Sequence, residues 1–213
     1  MTGGGTSTAL TEFQIEVARL FFSLPASSGF LLTGGAALNA QRLTNRPTQD
    51  LDFLTTRGAD VPAARDAFEA AAAGRGWHVI RVQDAAQFCR LAVHGPEDLL
   101  VDLVVDAPPN QPSSVSLLGP TLAPEDLAGR KLLALFDRAA ARDFVDVYQL
   151  AHRYGRALLI ERARAVDLGL DLQVLAQMMV MLDRYEDEDL PIAPTLVGDL
   201  RAYFRDWRDS LTA

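Results

Sequence analysis

The sequence predicts an α+β fold, with an α/β core over residues 1–123 and a helical C-terminal region over residues 124–213. Short apolar runs bounded by glycine and proline alternate with helix-period segments as far as residue 105. A Pro- and Ser-rich connection fills residues 107–123, and from Pro124 onward the apolar spacing is helical throughout. An α/β pattern followed by an all-helical one points to a layered core carrying a helical appendage.

Each element has a local cause. Residues 1–8 lack apolar periodicity and read as disordered. Residues 10–24 place Phe13, Val17, Leu20 and Phe21 on one helical face, and Pro25 stops the helix. The run at 30–33 is apolar, lies next to glycines and suits a buried strand. A helix over 35–43 follows, broken by Pro47, and 50–54 reads as a second strand. Residues 61–73 form an alanine-rich helix ended by GRG, and 77–82, 88–93 and 99–105 read as three more strands. The connection at 107–123 shows no element of its own. Helices are expected over 124–140, 142–154, 157–167, 171–183 and 195–211.

Composition narrows the function classes. Nearly half of the 213 residues are apolar, at 49%, so a sizeable core is possible. No apolar run approaches the roughly 18–20 residues of a membrane span, and the N-terminus has no basic-then-apolar signal pattern. A cytoplasmic location with no membrane partner is expected. The single cysteine, Cys89, excludes an internal disulfide and a CxxC zinc site. The three histidines, His78, His94 and His152, lack metal-ligand spacing. A net charge of −8 argues against blanket nucleic-acid binding. Residues 130–164 nevertheless carry eight Lys/Arg against four Asp/Glu, which leaves room for a local basic surface or for ordinary solvated helix faces.

The segment LLTGGAALNAQRLTNRPTQDLDF carries the chemistry. Strand side chains alternate, so Asp50 and Asp52 share one face while Leu51 and Phe53 point to the core. Adjacent carboxylates repel unless a cation lies between them. Hard oxygen donors select Mg²⁺ or Mn²⁺, commonly shared with substrate phosphates. Gly34 and Gly35 stand where a strand turns into a helix, and without Cβ atoms they let a phosphate approach the backbone. Asp102, inside the strand LLVDLVV, is a candidate third metal ligand, whereas Asp106 beside Ala107 reads as a turn residue. Thr48 lies two residues before Asp50 and would face the same side. Arg42 and Arg46 flank the loop, where each meets either phosphate or solvent.

In the second half, Lys131 borders the stripe of Leu132, Leu135 and Phe136 and can carry its ammonium along apolar surface to a cleft. In the next helix Phe144, Val147, Tyr148 and Ala151 form a core face. Arg142, Asp146, Gln149 and Arg153 share the opposite side, with Asp143 between. Periodicity alone reads these as an ordinary amphipathic helix.

The segments GGAAL (34–38), RPTQDLDF (46–53), GRKLLAL (129–135) and RDFVDVYQL (142–150) occur in order. In this the chain resembles the AbiEii/MenT family of nucleotidyltransferase-like toxins, over about residues 30–155. The resemblance implies a polymerase β-like nucleotidyltransferase core with a mixed sheet, its active site completed by the helical region. It assigns Asp50 and Asp52 to metal binding and catalysis, Lys131 to the triphosphate and Asp146 to a further essential carboxylate, and beside it the residue reading puts Gly34, Gly35, Arg46 and Thr48 at the nucleotide. Thr48 matches a hydroxyl that is phosphorylated in some relatives when the toxin is neutralised. Gly34-Gly35 replaces the Gly-Ser of polymerase β-like enzymes, and the spacing leaves Asp143 as an alternative to Asp146.

Implied with it are Mg²⁺, a nucleoside triphosphate (CTP above all), the 3′ end of tRNA as acceptor and an antitoxin as protein partner. Extending the mature tRNA end would block aminoacylation. The basic stretch 130–164 is the expected acceptor-stem surface. Two alternatives stand beside this reading. One is transfer to a protein or small-molecule hydroxyl, and the other is a non-catalytic nucleotidyltransferase fold that only binds.

Overall fold

The computed structural model describes residues 9–57 and 60–212. The segment 1–8, expected to be disordered, lies outside the described residues. The chain divides into two compact units, with the boundary between Ala123 and Pro124.

The first unit is built on a seven-stranded mixed sheet. Its elements run α1 (Glu12–Ser23), β1 (Leu31–Thr33), α2 (Gly34–Ala40), β2 (Asp50–Thr55), α3 (Asp60–Gly74), β3 (His78–Asp84), β4 (Phe88–His94), β5 (Asp98–Val105), β6 (Ser114–Ser116) and β7 (Gly119–Thr121). The spatial order is β3-β4-β5-β2-β1-β7-β6. β2 pairs with β5, and β1 with β7, in parallel; the other neighbours are antiparallel.

Side-chain alternation fixes which way this sheet faces. Leu51 and Phe53 are fully buried, and Phe21 of α1 stacks on Phe53 with ring centroids 4.1 Å apart. Phe30 and Phe68 pack edge-on to Phe21 at 5.3 and 6.2 Å. Burying each such ring stabilises by about 1.5–3 kcal/mol. A one-residue slip of β2 would expose this cluster and bury Asp50 and Asp52 instead, so the register is strongly specified. The same alternation continues on β4 and β5, where Cys89, Leu91, Val93, Leu99, Val101 and Leu103 are buried on the helix side. Asp50, Asp52, Arg90, Ala92, Leu100 and Asp102 therefore share the opposite face.

Helix α2 is shorter than its sequence suggests. It stops at Ala40 because Arg42 takes a left-handed conformation (φ 57°) and the Leu43 N–H donates to the Leu38 carbonyl at 2.8 Å. That is a Schellman-type close. The connection 107–123, expected to be without structure, folds into the β6–β7 hairpin, which continues the sheet beyond β1.

The second unit holds α4 (Pro124–Arg138), α5 (Ala141–Tyr154), α6 (Arg156–Val166), α7 (Leu172–Met179) and α8 (Pro194–Thr212). Phe144 of α5 lies fully buried, edge-on to Phe204 of α8 at 5.1 Å. Among the described residues no helix is long and apolar enough to cross a membrane.

Candidate active site

The glycine pair and the Asp-x-Asp strand meet in the first unit. Thr33 of β1 is registered opposite Asp52 of β2, so the turn into α2 begins beside that carboxylate. Gly34 sits at φ +66°, where L side chains are strained, and a Cβ there would collide with Asp52 Oδ2. A Cβ on Gly35 would come within 2.5 Å of Thr48 Oγ1 and 3.3 Å of Arg46 Nη2. Both glycines are thus required by close approach to the side chains that the sequence grouped with them.

Hydrogen bonds then fix the loop before β2. Thr48 Oγ1 donates to Asp50 Oδ1 at 2.8 Å, and the buried Gln14 side chain donates to the Thr48 carbonyl at 2.8 Å. Asn39 Nδ2 donates to the Arg46 carbonyl at 3.0 Å. Arg46 is buried and donates to the Pro47 carbonyl at 3.0 Å, while Arg42 is exposed. Of the two arginines, solvent accounts for Arg42 and not for Arg46.

Asp50 and Asp52 offer hard oxygen donors on one face, half-buried, beside a backbone cradle that a Cβ would fill. This donor set fits a Mg²⁺ that takes its remaining ligands from substrate phosphates and water. Among the described residues no group of three or more His, Cys, Asp or Glu is arranged to hold a metal. Asp102, considered above as a third ligand, pairs in register with Asp52, but its oxygens are engaged elsewhere. Arg90 Nε donates to Asp102 Oδ1 at 2.8 Å and Nη2 to Oδ2 at 2.6 Å. The hydrogen bonds to Asp102 raise the Arg90 pKa above its ordinary value, and the charges of Asp52 and Asp50 add to the effect. Asp106 accepts from the Ala107 N–H at 2.6 Å, as a turn residue does.

In the second unit Lys131 Nζ lies 2.9 Å from Asp146 Oδ2. Both residues are buried, Asp146 completely, although helix periodicity alone placed Asp146 on the polar side. The reason is the neighbouring helix α4, whose lysine supplies the charge that lets a carboxylate be buried. Asp143 is equally buried but differently employed. It accepts from Arg138 Nε and Nη2 at 2.8 and 2.9 Å and from the Ala140 N–H at 3.2 Å, closing the start of α5. The basic stretch 130–164 is less available than its composition suggests. Lys131, Arg138, Arg156 and Arg162 face Asp146, Asp143, Asp206 and Glu125 respectively.

Arg90 was not singled out from sequence. One arginine in FCRLAVH looks like any outward strand residue, and only the β4–β5 register sets it against Asp102.

Comparison with known proteins places this geometry in context. The fold is similar to that of MenT4, a nucleotidyltransferase toxin from Mycobacterium tuberculosis, with 18% identity and a TM-score of 0.62 over 94% of this chain and 82% of that one. It is also similar to JHP933 from Helicobacter pylori, with 19% identity and a TM-score of 0.57 over 97% and 94%. No curated protein sequence matches the chain. The family described as nucleotidyl transferase AbiEii toxin, type IV toxin–antitoxin system, matches over residues 19–209, a span that includes both carboxylate groups. The chain therefore belongs to the AbiEii nucleotidyltransferase toxins of type IV toxin–antitoxin systems.

Proposed function

We propose that this toxin transfers a nucleotide, with CTP as the preferred donor, to the 3′ end of tRNA. The observation that carries the reading is the placement of Asp50 and Asp52 on one strand face with the backbone of Gly34 against Asp52. In the reaction, the acceptor hydroxyl oxygen forms a bond to the α-phosphorus, the bond to the β-phosphate breaks and pyrophosphate departs. Mg²⁺, when bound, supplies the charge that activates the hydroxyl and stabilises the leaving group. Asp50 and Asp52 would hold it, and the Thr48 hydroxyl fixes Asp50 in place through its 2.8 Å hydrogen bond. The bare backbone at Gly34 and Gly35 admits the phosphates, and Arg46 stands behind Gly35 to meet their charge. Lys131 and Asp146, paired at 2.9 Å within the second unit, are the further lysine and carboxylate that the family reading assigns to catalysis.

Such a reaction takes place in the cytoplasm, and family membership calls for a cognate antitoxin. The test is incubation of pure protein with labelled nucleoside triphosphates, Mg²⁺ and total tRNA. Label on tRNA with CTP, lost in Asp50→Ala, is the expected result. No transfer by the wild type, or equal transfer by the variant, would refute the proposal.

The net charge of −8 favours a second reading, in which the acceptor is a protein or small-molecule hydroxyl. The same assay with those acceptors replacing tRNA separates the two.

A further inference from the structure

A continuous line of residues crosses the open face of the sheet. Arg90 is registered opposite Asp102, Asp102 opposite Asp52, and Asp52 opposite Thr33, which precedes the glycine turn. The glycine turn lies on one flank of Asp52. Arg90 lies on the other, two strands or roughly 10 Å from β2. A triphosphate lying over the glycines would thus leave the Arg90 flank to the second substrate.

Arg90 is built as an anchor there. Asp102, buried at 6% exposure, grips it through two parallel hydrogen bonds. The Phe88 ring lies 5.7 Å from the guanidinium carbon. Two of its five N–H groups are committed to Asp102, and among the described residues the other three have no acceptor. Its side chain is 43% exposed. A planar fork held from behind and open in front suits a phosphate. Beside it Leu100 and Ile80, 40% and 46% exposed, flank Ala92 on the same face. A hollow of about 460 Å³ opens next to Ala92 and Leu100, its wall continued by Thr48 and Gln49 and by the acids Glu97 and Asp98. That is room for a nucleobase against a wall part aliphatic and part polar.

We infer that Arg90, positioned by Asp102, binds a backbone phosphate of the acceptor strand and that the hollow beside Leu100 receives an acceptor nucleoside. This rests on the reading of RNA as acceptor. It gives Asp102 a positioning role through Arg90. With Asp50 and Asp52 nearby, a phosphate is tolerated at Arg90 only once a divalent cation offsets the carboxylates, so acceptor binding is Mg²⁺-dependent.

The experiment measures binding of a fluorescent single-stranded oligoribonucleotide ending in CCA, in Mg²⁺, across a salt series. Wild type is compared with Arg90→Gln, Arg90→Lys and Asp102→Asn, with calorimetric CTP binding as a parallel readout of an intact fold. Arg90→Gln is expected to weaken RNA binding roughly tenfold and to flatten the salt dependence by about one ion, with CTP affinity unchanged. Arg90→Lys should recover part of the loss. Asp102→Asn, which keeps the arginine, should weaken binding in the same direction by less. Unchanged RNA binding and salt slope in both Arg90→Gln and Asp102→Asn would overturn the inference. So would a loss of CTP affinity without loss of RNA affinity, which would move the phosphate to the donor. Failure of the wild type itself to bind the RNA would refute the acceptor reading and this inference with it, and is recognisable because no variant is involved.

Discussion

The carboxylate of Asp52 occupies the space in which a Cβ on Gly34 would stand. A turn with φ +66° and an acid from the neighbouring strand are thus mutually required, and the sequence pattern linking GG to DLD has a steric cause.

Gly34→Ala is therefore expected to hurt twice. A left-handed alanine costs about 1–2 kcal/mol, and the added methyl displaces the Asp52 carboxylate. Misplacement of a reacting group by about 1 Å can cost roughly 100-fold in rate. Thermal melting and labelled-nucleotide transfer should show a modest drop in stability beside a loss of activity of about that size.

Asp50→Asn and Asp52→Asn should behave in the opposite proportion. Both residues are half-buried, and each substitution removes one member of a like-charged pair. Stability should stay within about 0.5 kcal/mol of wild type, while transfer falls to background. A large fall in melting temperature would show that the acids serve the fold.

The Lys131–Asp146 pair separates stability from chemistry. Removing Lys131 takes from the fully buried Asp146 carboxylate its ion-pair partner at 2.9 Å, a loss of up to about 3–5 kcal/mol. Lys131→Met alone should be strongly destabilised. Adding Asp146→Leu should restore much of the stability, as apolar replacements of buried pairs often do. Denaturant melts should show this recovery, and transfer should remain absent in the double variant.

Asp143→Ala tests the neighbouring acid. Loss of its bond to the Ala140 N–H, a capping contact, costs about 1 kcal/mol. Loss of the two parallel bonds from the half-exposed Arg138 adds to that cost. Activity per folded molecule should be retained, in contrast to Asp146→Ala. Equal loss in both variants would return Asp143 to the list of essential carboxylates.

Cys89 is fully buried, and burial pushes its thiol up from 9.0 to about 11. The folded state thus holds this proton more tightly than the unfolded chain. Its contribution to stability is full below pH 9 and is lost as pH rises towards 11. Thiol reagents at pH 8 should leave the native protein unlabelled and modify it on unfolding.

Much of this was legible from local pattern because the forces involved are local. The alternation of Leu51 and Phe53 with Asp50 and Asp52 announces a strand with one wet face. The helices of the second unit follow apolar periodicity closely. What escaped depends on partners distant in sequence. SVS and GPT at β6 and β7 are too short to show a two-residue period, and the sheet edge at β1 gives them their partner. Asp146 looked solvated because its lysine comes from another helix. Arg90 gains meaning only when the β4–β5 hairpin sets it against an acid twelve residues on.

The most direct test is calorimetric titration of CTP into the wild type and into Asp52→Asn, each with Mg²⁺ and with EDTA. Saturable binding by the wild type in Mg²⁺, weakened at least about tenfold by EDTA or by the substitution, is the expected outcome. CTP binding that is equally strong in EDTA, or unaffected by loss of the Asp52 charge, would contradict a metal–nucleotide site between these two acids.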